Sequence, residues 1–507
     1  MIHAIVRLFW ALASWVPIAV LIVPLAAAAT HAPLPAPTDK PRLFVFTDIG
    51  NEPDDQMSLV RLLTYANSID IEGLVASTST WKRTVVSPET LRSVIGAYGE
   101  VRDNLLLHEL GWPTTDALLK LVAAGRPAYG LTGIAEGPPS EGALRLVAAA
   151  QRPDPRPLWV TLWSGASTLA EALAHARRTL PVDQLAALVA RLRVYSISDQ
   201  DDAGPWIRRE FPALQYIVKP STEDGAEYAS ATWTGISGDR FYRNGEGADG
   251  ETVTQEWLQA NIRSKGPLGA HYPRHLFIME GDTPSFLGLI PNGLDSAHDP
   301  SWGGWGGRYL MRRPYGETRP IWTQGGDSFP RVTSADTVIG VDGRPHTSDQ
   351  ATIWRWRRAF QNDFAARMDW SVGDFAHANH APRVVVNGDA GVHALVVDVD
   401  AGQDVVLDAT GTTDPDGDAL DVEWFPYVEA GFGQGEPLAE VSLGHATGLR
   451  VQVHALSSCR ANWLGASACG PEGVAHVILA VTDHGAPALT RYRRVIVRVH
   501  AKAPPAP

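Results

Sequence analysis

Short apolar runs alternate with amphipathic segments between residue 42 and about residue 220. The runs have the length and the β-branched and aromatic content of buried strands, and they lie at residues 43–47, 71–77, 158–163, 192–197 and 214–218. Apolar residues recur at helical spacing between them, at residues 54–67, 88–101, 141–150, 168–178 and 183–190. The alternation predicts βαβ units and therefore an α/β domain with a doubly wound, mostly parallel sheet.

Polar residues follow these predicted strands where each one ends. Right-handed crossovers bring the carboxyl ends of parallel strands to one edge of the sheet, where open α/β sheets bind their ligands. The polar ends are Thr47-Asp48, residues 77–82, residues 163–165 and residues 196–202. We therefore expect a pocket at this edge.

The first of these ends carries an acidic turn, whose members are Asp48, Glu52, Asp54 and Asp55. Several carboxylates on one turn repel each other unless a cation lies among them. Oxygen-only ligands on a flexible turn suit Ca²⁺, and less well Mg²⁺. Helix capping by Asp54 or Asp55 is the alternative, but it does not account for Asp48 at the end of the strand.

A helical pattern follows the loop-rich residues 220–345, a stretch long enough to carry function. Thr347 and Gln350 have the spacing of a capping box. Apolar residues then repeat at intervals of three and four, at Ile353, Trp356, Phe360, Phe364 and Met368. We interpret this segment as a core-packing helix that closes the first domain.

The pattern changes after residue 380 to alternating, valine-rich runs separated by turn residues. They lie at residues 383–386, 404–408, 420–425, 450–453, 474–481 and 491–499. This pattern predicts an antiparallel, all-β sandwich. The acidic residues 414–418 could bind Ca²⁺, but a plain hairpin turn is the simpler interpretation.

The N-terminus has the features of an export signal. Arg7 precedes an apolar segment, and small residues near Ala28 form a cleavage site, so we predict a signal peptide over residues 1–29 and a linker over 30–41. An uncleaved membrane anchor is the alternative. The α/β domain then spans residues 42–380 and the sandwich residues 383–502, and the mature protein is expected to be periplasmic or extracellular and free of the membrane.

The composition narrows the function further. The chain has 507 residues, which suggests two or three domains, and a net charge of −13 without any basic run, so nucleic-acid binding is not expected. Two cysteines occur, Cys459 and Cys469. In an exported protein they are expected to form a disulfide.

Several motifs together resemble the exported nucleoside-hydrolase-like family described as cellulose-binding proteins. The resemblance covers nearly all of residues 40–505, and its motifs are Phe46–Asp55, residues 164–170, His298-Asp299-Pro300, Glu280–Ser285, Gly303–Arg308 and residues 355–364. Two features depart from the nucleoside hydrolase motif. Phe46 stands where that motif has its first acid, and Glu52-Pro53 lengthens the turn.

The resemblance implies that the C-terminal sandwich is Ig/PKD-like, and it also implies a calcium site and roles for particular residues. Asp48 would bind calcium and accept a proton from water, and Asp54 would hydrogen-bond a sugar hydroxyl. The implied calcium ligands are Asp48, Asp55, the backbone carbonyl near Ser167, and Asp299. His298 would protonate the leaving group. Trp81, Glu280 and Asp282 are further candidates for substrate binding.

We therefore expect an exported, calcium-dependent hydrolase of N- or O-glycosidic bonds. Its substrate would be a carbohydrate-derived or nucleoside-like small molecule. The alternative hypothesis is a non-catalytic carbohydrate-binding protein, for example a cellulose-binding one, that retains the hydrolase fold.

Overall fold

The apolar runs of the first domain form one sheet of eight strands. The computed structural model describes residues 32–134, 137–327, 331–432, 434, 437–460 and 470–502. The strands are β1 (Arg42–Thr47), β2 (Asp70–Ala76), β3 (Val122–Ala124), β4 (Leu158–Leu162), β5 (Leu192–Ser196), β6 (Gln215–Ile217), β7 (Leu310–Arg312) and β8 (Ile321–Thr323). Their order is β3-β2-β1-β4-β5-β6-β8-β7, and only β7 runs antiparallel to its neighbour. The predicted doubly wound sheet is confirmed.

Helices cover both faces of this sheet, which explains why the strands are apolar without alternation. Along β1, Leu43 and Val45 pack into one hydrophobic core, whereas Phe44 and Phe46 pack into the core on the opposite face. The α-helices up to residue 220 are α1 (Asp54–Leu63), α2 (Pro88–His108), α3 (Thr115–Leu119), α4 (Glu141–Gln151), α5 (Ser167–Thr179), α6 (Val182–Arg191) and α7 (Ala203–Glu210).

Short helices and turns replace regular structure in the loop-rich stretch. The α-helices here are α8 (Gly238–Phe241), α9 (Gln255–Leu258), α10 (Gly266–Ala270) and α11 (Pro284–Leu287). One π-helical segment spans Gln259–Arg263. The 3₁₀ segments of the domain are Gly130–Gly133, Tyr228–Ser230, Thr232–Ile236, Glu251–Val253 and Phe375–His377.

The predicted closing helix is present but interrupted. It consists of α12 (Ala351–Trp354) and α13 (Arg357–Trp370), and its five apolar positions are all buried. The capping box was wrong, because Thr347 belongs to a hairpin strand and Ser348 Oγ accepts the hydrogen bond from the Ala351 amide at 3.0 Å. The hairpin strands are β9 (Asp336–Ile339) and β10 (Pro345–Ser348).

The C-terminal runs form two packed sheets. The strands are β11 (Leu395–Asp400), β12 (Asp404–Asp408), β13 (Leu420–Pro426), β14 (Glu440–Gly444), β15 (Arg450–Ser457), β16 (Glu472–Asp483) and β17 (Thr490–His500). One sheet has the order β11-β17-β16-β13 and the other β12-β15-β14. The predicted sandwich is confirmed, with two corrections: β11 pairs with β17 in parallel, and residues 383–386 form isolated bridges instead of a strand.

Polar contacts join the sandwich to the α/β domain. Tyr427 donates its hydroxyl proton to Asp336 at 2.6 Å, and Arg491 pairs with Asp363 at 2.5 Å. A Cβ at Gly303 would lie 2.3 Å from the Tyr427 hydroxyl. The glycine therefore allows the two domains to approach closely, and residues from Pro33 onward form one compact unit.

The predicted signal peptide, residues 1–29, lies outside the described residues. Within the part of the chain that the structure describes, no helix is long and apolar enough to cross a membrane.

Tyr427→Phe should lower the free energy of unfolding by about 2 kcal/mol, because it removes a buried hydrogen bond to a charged carboxylate. Urea denaturation of the full chain measures this. Tyr315→Phe is the control, since Tyr315 is 95% exposed and should have no effect. Equal denaturation midpoints for the two variants would contradict the importance of this contact.

Candidate metal and ligand site

The turn between β1 and α1 places three carboxylates at the carboxyl edge of the sheet. Asp48 follows the last residue of β1, and Asp54 and Asp55 lie in the first turn of α1. Gly50 has a φ of 91°, a left-handed conformation that favours glycine. No side chain of the N-cap residue caps α1, but Asp54 and Asp55 both lie in its first turn, where the helix end favours negative charge.

A fourth carboxylate reaches this turn from the loop before α11. Asp282, Asp54 and Asp55 each offer an oxygen that lies within 4.8 Å of the others. The Oδ2 atom of Asp282 is buried and has no hydrogen-bond partner, whereas buried polar atoms are nearly always bonded. An unbonded carboxylate oxygen that faces two others fits a site for a cation with oxygen ligands.

Burial and mutual repulsion make these acids hard to ionise together. Burial raises the pKa of Asp48 to about 6, although a hydrogen bond from Ser79 opposes the change. Burial, followed by the charges of Glu52 and Asp48, raises the pKa of Asp54 to about 7. The pKa values of Asp55 and Asp282 rise for the same two reasons. A bound cation would relieve both causes.

One lysine lies against the turn, but its ammonium group is held by the loops around it. Lys82 Nζ donates to the Ile49 carbonyl at 2.6 Å and to Ser87 Oγ at 2.7 Å. Burial lowers its pKa, and the charge of Asp48 counteracts this. Lys82 therefore fixes the backbone of the turn and offsets only part of the negative charge.

A buried ion pair positions the loop that carries Asp282. Both carboxylate oxygens of Glu280 accept hydrogen bonds from Arg61 of α1, and Tyr272 and Thr283 donate to the same group. Glu280 has a φ of 55°, an unfavourable conformation for a residue with a side chain. The sequence suggested Glu280 as a candidate for substrate binding. Its carboxylate is buried and both oxygens already accept hydrogen bonds, so in this structure Glu280 holds the loop that carries Asp282.

The four carboxylates line a cavity of about 230 Å³ whose walls are largely aromatic. Its lining residues are Asp48, Glu52, Asp54, Asp55, Trp81, Trp163, Ile197, Ser198, Gln200, Tyr228, Trp233, Phe241, Tyr242, Phe277, Ile278, Gly281 and Asp282. The expected pocket at the sheet edge is therefore present. Trp81, a candidate for stacking on a substrate, is half-exposed at its rim.

The structure places His298 and Asp299 away from this cavity. His298 is exposed and stacks on Trp302, over which lies Arg494 of the sandwich. Asp299 accepts hydrogen bonds from the amide and hydroxyl groups of Ser301. Neither residue is among the described residues that line the cavity, whereas Asp282, which the sequence suggested for substrate binding, lies beside Asp54 and Asp55.

Ser167 and Cys459 are not among the described residues that line the cavity. Ser167 begins α5, and its amide donates to Asp201 at 3.0 Å. Cys459 is disulfide-bonded. Cys469 lies outside the described residues, so the predicted pairing of the two cysteines stays a prediction.

Four polar residues of the lining were not singled out from the sequence. Ser198 and Gln200 follow β5, and Tyr228 and Trp233 belong to short 3₁₀ segments. The polar run after β5 pointed to the first pair. No local pattern pointed to the second pair, because irregular segments carry no periodicity.

A sheet edge with an acidic strand-to-helix turn under an aromatic cavity is the arrangement of a nucleoside hydrolase-like protein. Residues 42–309 match the family described as "Cellulose-binding Sde182, nucleoside hydrolase-like domain", and residues 404–499 match "Cellulose-binding protein Sde0182, C-terminal domain". The chain belongs to this family.

A solved structure supports the same assignment over the whole chain. A nucleoside hydrolase-related hypothetical protein from Saccharophagus degradans, described as associated with carbohydrate metabolism, is 32% identical with a TM-score of 0.74. The match covers 91% of this chain and 100% of that protein. No curated protein matches the chain.

Two further structures are more distant. The type III effector XopQ in complex with adenosine diphosphate ribose is 14% identical, covers 67% of this chain and 96% of its own, and has a TM-score of 0.30. The PKD domain of the KIAA 1837 protein is 17% identical, covers 25% of this chain and 92% of its own, and has a TM-score of 0.16. Neither similarity carries an argument about function.

The cation-free protein should lose stability as the pH rises. Asp48 and Asp54 have folded pKa values above their ordinary value of 3.8, at about 6 and about 7, so the folded state binds more protons and is destabilised as these groups ionise. Urea denaturation in chelator at about pH 5 and about pH 8 measures the fall. Asp54→Asn should reduce this pH-dependent loss of stability. An equal loss in the variant would contradict the raised pKa of Asp54 as its cause.

Proposed function

We propose that the protein is an exported, calcium-dependent hydrolase of glycosidic bonds in a carbohydrate-derived or nucleoside-like small molecule. The observation that carries the proposal is the cluster of Asp54, Asp55 and Asp282, in which one buried carboxylate oxygen has no partner. The nucleoside hydrolase-like fold places this cluster under a cavity large enough for a small ligand.

The donor atoms fit calcium better than a transition metal. Asp54, Asp55 and Asp282 would hold the ion with Asp48 beside them, all through oxygen atoms, and no histidine or cysteine is among the described residues of the lining. Oxygen-only sets of this kind suit Ca²⁺. Bound calcium would supply a Lewis acid that lowers the pKa of a water molecule and orients the substrate.

The chain's own residues support a hydrolytic role. Asp48 has a pKa of about 6 because it is buried, and a carboxylate with a pKa near neutrality is suited to accept a proton from water. Ser79 donates a hydrogen bond to Asp48 Oδ2 and so orients the carboxylate. Asp54 faces the cavity and can accept a hydrogen bond from a substrate hydroxyl, and Trp163 and Trp233 exclude water from the cavity walls.

Non-catalytic carbohydrate binding is the second candidate function, and a specific observation favours it. The residue beside Asp282 is Gly281, whereas the histidine that the resemblance implies as the leaving-group acid is His298, which is not among the described residues that line the cavity. A Cβ at Gly281 would lie 2.8 Å from Asp54 Oδ2. Protonation of a poor leaving group would then depend on another residue, and without one the site would only bind.

Export is proposed from the N-terminal sequence and from the family. Residues 1–29 have the composition of a signal peptide, and the family description names cellulose binding. Cellulose is an extracellular polymer, so a periplasmic or extracellular location is consistent with both observations.

Asp282→Asn should weaken calcium binding by at least about tenfold, because it removes a charged ligand from the cluster. Isothermal calorimetry with CaCl₂ on chelator-treated protein measures the affinity. Asp299→Asn is the matched control and should bind calcium as the parent does. The reverse order of effects would restore Asp299 as the late-chain ligand.

Asp48→Asn should reduce turnover by about 10²–10⁴-fold, the usual contribution of a general base, while the protein remains folded. A screen of nitrophenyl glycosides and ribosides in the presence of calcium first identifies a substrate. Asp299→Asn again serves as the control. Glycan binding by the parent without turnover of any substrate would decide for the binding protein.

A further inference from the structure

The cavity contains several polar groups that no protein atom satisfies. Ser198 Oγ, Gln200 Oε1, Tyr228 Oη and Trp233 Nε1 are buried and have no hydrogen-bond partner, and all four residues line the cavity above the carboxylates. Burial raises the pKa of the Tyr228 hydroxyl to about 12, and the side chains of Ser198 and Trp81 oppose this change, but neither forms a hydrogen bond of normal geometry with it. Leaving buried polar groups unbonded costs free energy, so this set points to a ligand.

Buried polar groups without a hydrogen-bond partner also occur outside the cavity. Trp112 Nε1 and Tyr216 Oη are also buried without a partner, but neither lines the cavity. A single unbonded group is therefore weak evidence. Four of them that share one cavity with a carboxylate cluster form a built site.

The four groups specify the chemistry of the ligand. Trp233 can only donate a hydrogen bond. Gln200 offers an acceptor, because its amide nitrogen already donates to the Trp163 carbonyl at 3.0 Å. The hydroxyls of Ser198 and Tyr228 can donate or accept. Donors and acceptors in a cavity with aromatic walls match the hydroxyl groups and the apolar C–H face of a sugar.

The size of the cavity limits how much of a glycan can enter. Its volume of about 230 Å³ lies below the roughly 300–1,000 Å³ of pockets that enclose drug-sized ligands. One sugar ring is the unit that such a space accommodates. The rest of a longer glycan has to pass over the rim.

The rim itself is aromatic but not flat. Trp81, Phe241 and Phe277 are all partly exposed there, and the rings of Phe241 and Phe277 stand at 90° to each other with centroids 6.0 Å apart. Rings in this arrangement cannot lie together on a planar surface. These aromatic rings can contact the edges of a glycan that extends out of the cavity.

We propose that the cavity binds a single terminal sugar ring of a soluble glycan or glycoside, through Ser198, Gln200, Tyr228 and Trp233, and does not bind the flat face of insoluble cellulose. This inference rests on the proposed function only in using the same cavity. It names the substrate class and the residues that select it, and it holds for a hydrolase and for a binding protein alike.

Binding of defined sugars to the calcium-loaded full chain tests the proposal. The probes are a panel of methyl hexosides and pentosides, cellobiose, uridine and microcrystalline cellulose, measured by calorimetry or, for cellulose, by sedimentation. We expect at least one methyl glycoside to bind, and Trp233→Phe to weaken it about five- to tenfold, which is the loss of one hydrogen bond. Trp112→Phe removes an equally unbonded indole N–H elsewhere and should change nothing.

A second matched pair keeps the test independent of folding defects in one variant. Tyr228→Phe should weaken binding of the same glycoside, whereas Tyr216→Phe should not. Thermal unfolding confirms that all four variants fold. Equal affinities within both pairs, binding of no sugar in the panel, or retention on cellulose that Trp233→Phe leaves unchanged would each overturn the proposal.

The outcome separates this inference from the proposed hydrolase. Glycoside binding that depends on Trp233 and Tyr228, without turnover of any substrate, would uphold the inference and reject the enzyme. Turnover with sugar affinities that neither variant alters would uphold the enzyme and reject the inference. Binding of uridine alone would place a nucleobase in the cavity and also reject it.

Discussion

The structure of the site depends on holding like charges together against their mutual repulsion. Asp48, Asp54, Asp55 and Asp282 are brought close in a partly dry cavity, an arrangement that no single turn or helix would maintain by itself. Two features of the fold hold these carboxylates together. The parallel sheet fixes where β1 ends, and the Arg61–Glu280 pair ties the loop of Asp282 to the helix that begins with Asp54. The free energy of folding therefore maintains a locally unfavourable charge distribution, as binding sites commonly require.

The C-terminal sandwich packs against the α/β domain in one compact unit. Tyr427 and Arg491 of the sandwich reach buried aspartates in and near the closing helices of the α/β domain, and Arg494 donates to the backbone of the glycine-rich loop at Gly303. These contacts lie on the side of the molecule where His298 and Asp299 are found. Residues 298–308 therefore contribute to the contact between the domains, where Gly303 allows Tyr427 to approach closely.

The sequence was informative where structure is local and uninformative where it is not. Strands β1, β2, β4 and β5 and the acids that follow β1 were predicted because strand, turn and helix are consecutive in the chain. Strands β3, β7 and β8 have three residues each, too few to show a period, whereas the equally short β6 was predicted because Leu214 and Val218 extend its apolar run on both sides. The choice between Asp282 and Asp299 could not be made locally, because it is settled by Arg61, a residue 219 positions away from its partner Glu280.

The tight contact at Gly281 limits how the chemistry of this chain could change. A Cβ at this position would lie 2.8 Å from Asp54 Oδ2, the end of a flexible side chain, so a larger residue there would shift the Asp54 carboxylate. A proton donor introduced beside Asp282 by substitution would therefore also move a member of the acidic cluster. The gain of an acid at this position is thus coupled to the geometry of the cluster itself.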